Sequence, residues 1–189
     1  MEDQIAIQRL KEKDVSGLEY LVSKYQQKAT QAAWLIMRDR QTAEDIASQA
    51  FLRVYRSINR FKPDAPFGPW LYRIVVNLCL DQIKHERRLS PLEPDGAEEL
   101  SSSKLSEPSV ENLLEQAQNI EEMMLAFEDL RPEHRAVIVA RYFLGLSEKE
   151  ATDELQTSVS TVKWRTYTAI HQLRQALIPG YQVKNRKEE

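Results

Sequence analysis

Apolar residues recur every three or four positions along most of this chain of 189 residues. The clearest series predicts an amphipathic helix from about Ser16 to Met37. Its apolar members are Leu18, Leu21, Val22, Tyr25, Ala29, Ala32, Ala33 and Ile36. The chain has only five glycines, and its periodic segments are rich in Ala, Leu, Glu, Gln, Lys and Arg, which all favour helix. We therefore predict an all-α fold.

This periodicity stops once, between Ser90 and Ser109. The segment contains three prolines, an Asp-Gly pair and three consecutive serines, a combination that breaks helices and offers no apolar face. We therefore predict two small helical domains, residues 1–88 and 111–189, joined by a flexible acidic linker over residues 89–110.

Two further helices are predicted in the first domain. One begins at Thr42, whose hydroxyl is expected to cap the helix while Asp45 completes a capping box. The other runs from Trp70 to about Arg88, with Pro69 as its first residue, because that position leaves its N–H unpaired in any case. The polar stripe of this helix, expected to face solvent or a ligand, consists of Arg73, Asn77, Asp81 and Lys84.

The second domain ends in a predicted helix-turn-helix, after two helices over about 111–129 and 132–143. A short helix from Ser147 to Leu155 carries a capping box at its start, which Ser147 forms with Glu150. A turn at Gln156 and Thr157 follows, and then a longer helix from about Ser158 to Ile178. In DNA-binding proteins of this type, the second helix enters the major groove and presents short polar and cationic side chains to bases and phosphates. Taken alone, the pattern fits an ordinary helical hairpin with a polar outer face nearly as well.

Aromatic and cationic side chains alternate around a proline-rich loop at residues 61–69. The set consists of Phe61, Lys62, Phe67, Trp70, Tyr72 and Arg73. An unstacked base gains stacking on a ring while a cation neutralises phosphate, so this pattern is typical of proteins that bind single-stranded nucleic acid. The alternative is that the rings only pack their helix against the hydrophobic core, which we favour for Trp70.

The distribution of charge supports a nucleic-acid partner although the net charge is −3. Nine acidic residues and a single lysine lie between Leu89 and Glu122. The remainder of the chain is therefore net positive, as expected of domains that approach phosphate groups.

The sequence contains no motif of a catalytic, metal or cofactor site. Its three histidines have no ligand spacing, and a glycine-rich phosphate loop is missing. We therefore expect no enzyme, no metal, no cofactor and no small-molecule substrate. A single cysteine, Cys79, and the lack of a secretory signal or a long apolar run predict a cytoplasmic protein.

Three segments, taken in order, resemble the extracytoplasmic-function (ECF, group IV) sigma factors of RNA polymerase. They are Thr42–Phe51, Phe67–Asn77 with Asp81, and Leu130–Arg135 followed by Leu146–Glu150 and Ser160–Arg165. The resemblance implies that residues 1–88 are sigma region 2, which binds core polymerase and melts the −10 element. It also implies that residues 111–189 are region 4, which recognises the −35 duplex, and that an anti-sigma factor restrains the protein.

The resemblance also assigns individual residues. The contacts to core polymerase would come from Asp45, Gln49, Phe51 and Arg53. The −10 DNA would meet Lys62, Phe67, Arg73, Asn77 and Lys84, with single-stranded bases held by the proline-rich loop. The −35 duplex would meet Ser160, Thr161, Lys163, Arg165 and Tyr167. Trp164 and Thr168 stand where the family commonly has Ser and Arg.

Two other functions remain open at this point. A stand-alone helix-turn-helix regulator would dimerise to read paired half-sites, but the helix from Thr42 and the aromatic loop would then have no role. A helical adaptor that binds another protein without DNA would use its amphipathic faces alone.

Overall fold

The computed structural model describes residues 2–62, 65–89 and 120–178. Over these ranges the fold is all-α and consists of two helical domains. The first domain contains α1 (Asp3–Lys11), α2 (Ser16–Met37), α3 (Arg40–Ser57), a 3₁₀ turn (Ile58–Arg60) and α4 (Phe67–Leu89). The second contains α5 (Ile120–Glu128), α6 (Pro132–Ile138), a π-helical turn (Val139–Phe143), α7 (Glu148–Glu154) and α8 (Val159–Leu177).

Helix α2 forms the centre of the first domain and packs against α1, α3 and α4. Small residues allow this close packing, since Ala29, Ala33 and Ala43 are fully buried. Gly17 is required where α2 meets α1, because a Cβ at this position would overlap the carbonyl oxygen of Ala6. The bounds predicted for α2 are confirmed at both ends.

Helix α1 was not predicted. It buries Ala6, Ile7 and Leu10 against α2, while its other side chains are exposed or half-buried. Four apolar residues lie within these nine positions, but Ile5, Ala6 and Ile7 are consecutive, so they establish no helical period.

The structure corrects the predicted starts of α3 and α4. The start at Thr42 is wrong, because Asp39 caps α3 and its carboxylate accepts a hydrogen bond from the Thr42 backbone N–H at 2.7 Å. Asp is the stronger N-cap residue of the two. Helix α4 begins at Phe67, two residues before Pro69. Proline is tolerated at this position, because the backbone N–H groups of the first helical turn have no intrahelical partner.

The helix-turn-helix is present as α7 and α8, and its capping box is confirmed. The Ser147 hydroxyl accepts from the Glu150 N–H at 3.2 Å, and the Glu150 carboxylate accepts from the Ser147 N–H at 2.8 Å. Gln156 has a φ of +47°, so the turn between the helices uses the left-handed region. The buried face of α8 consists of Val162, Thr166, Ala169, Ile170 and Leu173.

The predicted linker lies almost wholly outside the described residues, as does the first part of the helix predicted over 111–129. The boundaries of the linker stay predictions. The helix predicted over 132–143 changes from α to π geometry after Ile138.

The two domains pack against each other. Helices α2 and α4 of the first domain contact α6 of the second, and α4 also contacts α7. The start of the helix-turn-helix therefore lies beside the polar stripe of α4.

Candidate nucleic-acid interface

Helix α3 presents part of the set predicted to bind core polymerase. Asp45 and Gln49 are exposed on it. Arg53 is also exposed, with Nη2 3.9 Å from an Asp81 carboxylate oxygen on α4. Phe51 is only 6% exposed and belongs to the hydrophobic core, so it packs on the inner side of α3.

Two exposed apolar side chains on α3 were missed by the sequence analysis. Leu52 is 53% exposed and Tyr55 is 45% exposed, and because they lie three positions apart on one helix they form a small exposed apolar patch. They share the outer side of α3 with Asp45 and Gln49. Their positions on the helix could have revealed them, because helical spacing places Leu52 outside the apolar stripe that contains Ile46, Ala50 and Val54.

The aromatic residues of the proline-rich loop form a packed cluster. The Phe67 ring is 3% exposed, and its centroid lies 5.1 Å from that of Tyr25 and 5.8 Å from that of Trp70. The Phe61 ring is tilted at 50° to that of Trp70, with the centroids 4.8 Å apart. Phe67 is thus covered in this conformation, whereas Lys62 is exposed at the edge of the cluster.

A groove of about 280 Å³ opens beside this cluster. Its lining combines ring faces and cations from Phe61, Lys62, Trp70 and Arg73. The composition of this groove suits a base together with its phosphate.

The polar stripe of α4 is divided between solvent and the second domain. Lys84 is exposed. Arg73 and Asn77 instead contact α7: Arg73 Nη2 lies 2.9 Å from Glu150 Oε1, and Asn77 Nδ2 donates to Glu154 Oε1 at 2.6 Å. Arg73 Nε is 3.4 Å from Glu154 Oε2, close enough for an ion pair but not aligned for a hydrogen bond.

The two carboxylates on α7 have different environments. Burial raises the pKa of Glu154, and the neighbouring Arg73 and Asn77 oppose that rise. The hydrogen bonds from Ser147 hold the pKa of Glu150 below its usual range, and Arg73 adds to this effect. Glu150 is therefore ionised at neutral pH with two independent partners.

The second helix of the helix-turn-helix, α8, exposes its first turns. Ser160 and Lys163 are exposed, and Thr161, Arg165 and Tyr167 are half-buried. The Ser158 hydroxyl lies 2.7 Å from that of Ser160 and 2.8 Å from that of Thr161, so three hydroxyls cluster at the start of the helix. Lys163 Nζ lies 3.5 Å from a Glu148 carboxylate oxygen on α7. Tyr167 stacks on His171 with ring centroids 6.2 Å apart.

Trp164 faces the interior of the second domain. Its ring meets His134 edge-on, with centroids 5.6 Å apart, and the His134 Nδ1 lies 3.3 Å from Gln172 Oε1. Burial lowers the pKa of His134. Trp164 thus acts on the orientation of α8 by packing.

The described ranges contain no cluster of His, Cys, Asp and Glu able to hold a metal ion. Over the same ranges, no helix is both long and apolar enough to cross a membrane.

Comparison with known proteins identifies both domains. Residues 21–89 match the family "Sigma-70 region 2", and residues 126–175 match "Sigma-70, region 4". The ECF sigma factor SigW of Bacillus subtilis is 33% identical over 180 residues, which cover 90% of this chain and 92% of that protein. The chain belongs to the ECF family of RNA polymerase sigma factors.

Other relatives of this sigma factor span similar lengths. The RNA polymerase sigma-H factor of Pseudomonas aeruginosa is 28% identical and aligns with 94% of this chain and 95% of its own length. The ECF sigma-E factor of Escherichia coli K12 is 29% identical, with coverages of 88% and 90%. Sigma factors are transcription initiation factors that direct RNA polymerase to promoters, so function as well as fold is predicted correctly from the sequence.

Solved structures with the same fold include two complexes. CnrH, in complex with the cytosolic domain of CnrY, has a TM-score of 0.60 at 22% identity, covering 93% of this chain and 96% of that one. RpoE of Bartonella quintana, in complex with the anti-sigma factor NepR, has a TM-score of 0.62 at 16% identity, with coverages of 86% and 98%.

Proposed function

We propose that this sigma factor uses three helices as separate binding surfaces. Helix α3 docks on core polymerase, α4 with the preceding loop engages the −10 element, and α8 reads the −35 duplex. The observation that carries the proposal is the exposed face of α3, which its own domain leaves uncovered although it contains Leu52 and Tyr55.

The docking face of α3 consists of Asp45, Gln49, Leu52, Arg53 and Tyr55. Apolar residues surrounded by polar ones are typical of protein–protein interfaces, in which a few buried anchors carry most of the binding free energy. Phe51 has an indirect part, because it anchors the helix in the hydrophobic core.

The −10 face consists of Lys62, Arg73, Asn77 and Lys84, with Phe67 beneath the loop. The cations neutralise phosphate, and the groove between Phe61, Lys62 and Trp70 accepts an unstacked base. Phe67 contributes by supporting the loop, since its ring is covered.

The −35 face consists of Ser160, Thr161, Lys163, Arg165 and Tyr167 at the start and outer side of α8. A helix N-terminus carries partial positive charge and unpaired N–H groups, which suit a DNA phosphate. Lys163 must leave Glu148 to reach DNA, and an exposed ion pair of this kind costs little to break.

We further infer a group IV organisation with an anti-sigma partner. Residues 90–125 alone separate the two matched regions, and so short a segment rarely builds a hydrophobic core of its own. An anti-sigma factor fits because NepR is one and occupies the related RpoE. The protein acts by recruitment rather than catalysis, in the cytoplasm where polymerase works.

Reconstitution tests this function. The purified chain is mixed with bacterial core RNA polymerase, and co-elution and promoter-directed transcription are measured. We expect a stoichiometric complex and transcripts with defined starts. If the chain does not bind core polymerase but binds duplex DNA as a dimer, it is instead a stand-alone regulator.

A further inference from the structure

Helix α1 belongs to none of the three binding surfaces of the proposed function. It spans Asp3–Lys11 and so precedes the part of the chain that matches region 2, which begins at residue 21. The charged residues at its two ends nevertheless act on the proline-rich loop at residues 61–69. Each end of α1 is connected to a different end of this loop.

The last residue of α1 holds the start of the loop. Lys11 Nζ donates to the carbonyl oxygen of Phe61 at 3.2 Å, a half-buried contact between residues 50 positions apart. The Phe61 ring is 4% exposed and lines the groove beside the aromatic cluster. A charged donor forms a stronger hydrogen bond than a neutral one, so Lys11 fixes the backbone that carries this ring.

The first residue of α1 acts on the end of the loop through Tyr25. The Asp3 carboxylate accepts hydrogen bonds from the Tyr25 hydroxyl and from Lys24 Nζ, the latter at 2.6 Å. The Tyr25 ring in turn packs on Phe67, with centroids 5.1 Å apart, and meets Tyr72 edge-on at 6.3 Å. Asp3 therefore orients the ring on which the start of α4 rests.

The protonation states of Tyr25 and Asp3 suit this hydrogen bond. Burial raises the pKa of Tyr25 to about 12, and the hydrogen bond to Asp3 adds to the rise. Burial alone would raise the pKa of Asp3, but the hydrogen bonds from Lys24 and Tyr25 outweigh it and hold this pKa below its usual range. At neutral pH a protonated tyrosine thus donates to an ionised carboxylate.

The Tyr25 ring lies directly against the backbone at the end of the loop. A Cβ on Gly68 would come within 3.2 Å of Tyr25 Cε1, so glycine is needed for this close approach. Helix α1 itself leaves a cavity of about 600 Å³ beside the loop, lined by Ile7 and Pro66 among others. The effect of α1 on this end of the loop therefore runs through Tyr25.

We propose that α1 positions the proline-rich loop for promoter opening, with Lys11 and Asp3 as positioning residues and Tyr25 as the link to Phe67. The inference rests on the proposed function, because it uses the assignment of the loop to −10 DNA. The groove beside the aromatic cluster keeps its shape when the backbone is held on both sides of it. A groove ordered in advance avoids the cost of ordering the loop when a base enters.

The first pair of variants tests the lysine contact. Lys11→Met removes the ammonium that donates to Phe61 but retains a long side chain that favours helix. Lys11→Arg keeps a cationic donor and should behave as the unsubstituted chain does. Lys13→Met, at an exposed position two residues later, is the matched control.

The second pair tests the tyrosine contact. Tyr25→Phe removes the hydroxyl that donates to Asp3 and leaves a ring of the same shape on Phe67. Tyr20→Phe removes a hydroxyl from a half-buried ring on the same helix and is the matched control.

Hydrogen exchange in the free chain measures the order of the loop. The backbone N–H groups of Phe61 and Ala65 donate to the carbonyl oxygens of Ile58 at 3.0 Å and Lys62 at 3.1 Å, so their exchange reports local opening. Mass spectrometry of peptides that span the loop follows this exchange. We expect exchange about threefold to tenfold faster in Lys11→Met and in Tyr25→Phe than in the controls, the effect of one lost hydrogen bond.

Promoter opening is measured with saturating core RNA polymerase, by permanganate reactivity of unpaired thymines. Opening should fall about threefold to tenfold in Lys11→Met and Tyr25→Phe. Affinity for core polymerase should equal that of the controls, because neither residue belongs to the docking face of α3. A general loss of folding would instead lower affinity and opening together.

Loop exchange equal to that of the controls would overturn the proposal, and so would opening equal to that of the controls. Equal losses of core affinity and opening would also overturn it. Exchange is measured on the free chain, so it decides whether α1 holds the loop even if the proposed function fails. That failure would instead appear as an unsubstituted chain that neither joins core polymerase nor starts transcripts.

Discussion

The guanidinium of Arg135 donates from Nε to the carbonyl oxygen of Ile36 over 2.8 Å and so joins α6 to the last turn of α2. Its Nη1 donates to the carbonyl oxygens of Leu130 at 2.8 Å and Glu128 at 3.1 Å. The last carbonyls of a helix have no intrahelical partner, and a cation there also opposes the helix dipole. One side chain therefore orders the start of the second domain and attaches it to the first.

Arg135→Lys should destabilise the protein although it keeps the charge. A single ammonium cannot reproduce the planar donors that serve three carbonyls, and a buried acceptor left unpaired costs about 1–3 kcal/mol. Urea denaturation measures the change. Arg131→Lys, at an exposed position four residues earlier, is the matched control, and equal midpoints for the two variants would contradict the role given to Arg135.

Leu52→Ser should weaken binding to core polymerase by about fivefold or more, since interface anchors each contribute over about 1 kcal/mol. The folded state should lose little, because the side chain is 53% exposed. Affinity is measured by titration of labelled protein with core polymerase. Ile5→Ser on α1 makes a similar change at a 49% exposed site; if both variants bind alike, α3 is not the docking helix.

Phe67→Leu should impair promoter opening more than polymerase binding. The substitution keeps apolar volume beneath the loop but removes the ring contacts with Tyr25 and Trp70, and it avoids the cost of about 3–5 kcal/mol that truncation to alanine would bring. Opening is measured by permanganate reactivity of unpaired thymines. Phe127→Leu makes the same change in the second domain, and equal loss of opening and binding in Phe67→Leu would refute the assignment.

The all-α class, both ends of α2 and the capping box of α7 could be predicted because each depends on residues close in sequence. The Asp39 cap was missed because Asp39 and Thr42 are both good N-cap residues, and the sequence does not show which one ends the loop. The burial of Phe67 depends on Tyr25, a distant partner.

The domain contact could not be predicted at all. Arg73 and Glu150 lie 77 positions apart, and each had many possible partners of opposite charge. Periodicity assigns a charged residue to an outer face, but it does not show which other surface covers that face.

Ser147→Ala should destabilise the second domain by about 1 kcal/mol, because it removes an N-cap together with its capping box. Thermal unfolding followed by circular dichroism measures the loss. Ser23→Ala, inside α2 with an exposed hydroxyl, is the control and should change little. An unshifted midpoint for Ser147→Ala would show that the turn holds α7 without its cap.

Stability should fall as the pH drops below about 6.5, the ordinary pKa of histidine. Burial lowers the pKa of His134 in the folded state, Gln172 raises it, Arg165 and Arg131 lower it further, and Glu133 raises it. The unfolded chain therefore takes up this proton at higher pH, so the contribution of His134 is present above about pH 6.5 and lost as the pH falls through the lowered pKa.

Urea midpoints between about pH 7.5 and about pH 5.5 test this prediction, a window in which carboxylates of ordinary pKa remain largely ionised. The variant His134→Gln should show a flatter profile than the unsubstituted protein. Parallel profiles would assign the pH dependence to other groups.

Salt acts twice on the contact of Arg73 with Glu150 and Glu154. Dissolved ions screen this partly exposed pairing and loosen the domains, which frees Arg73 for the −10 DNA contact proposed for it. The same ions oppose DNA binding, because each phosphate contact releases condensed counterions from the DNA. Since the two effects have opposite signs, the affinity of the free chain for DNA varies less steeply with ionic strength than its phosphate contacts alone dictate.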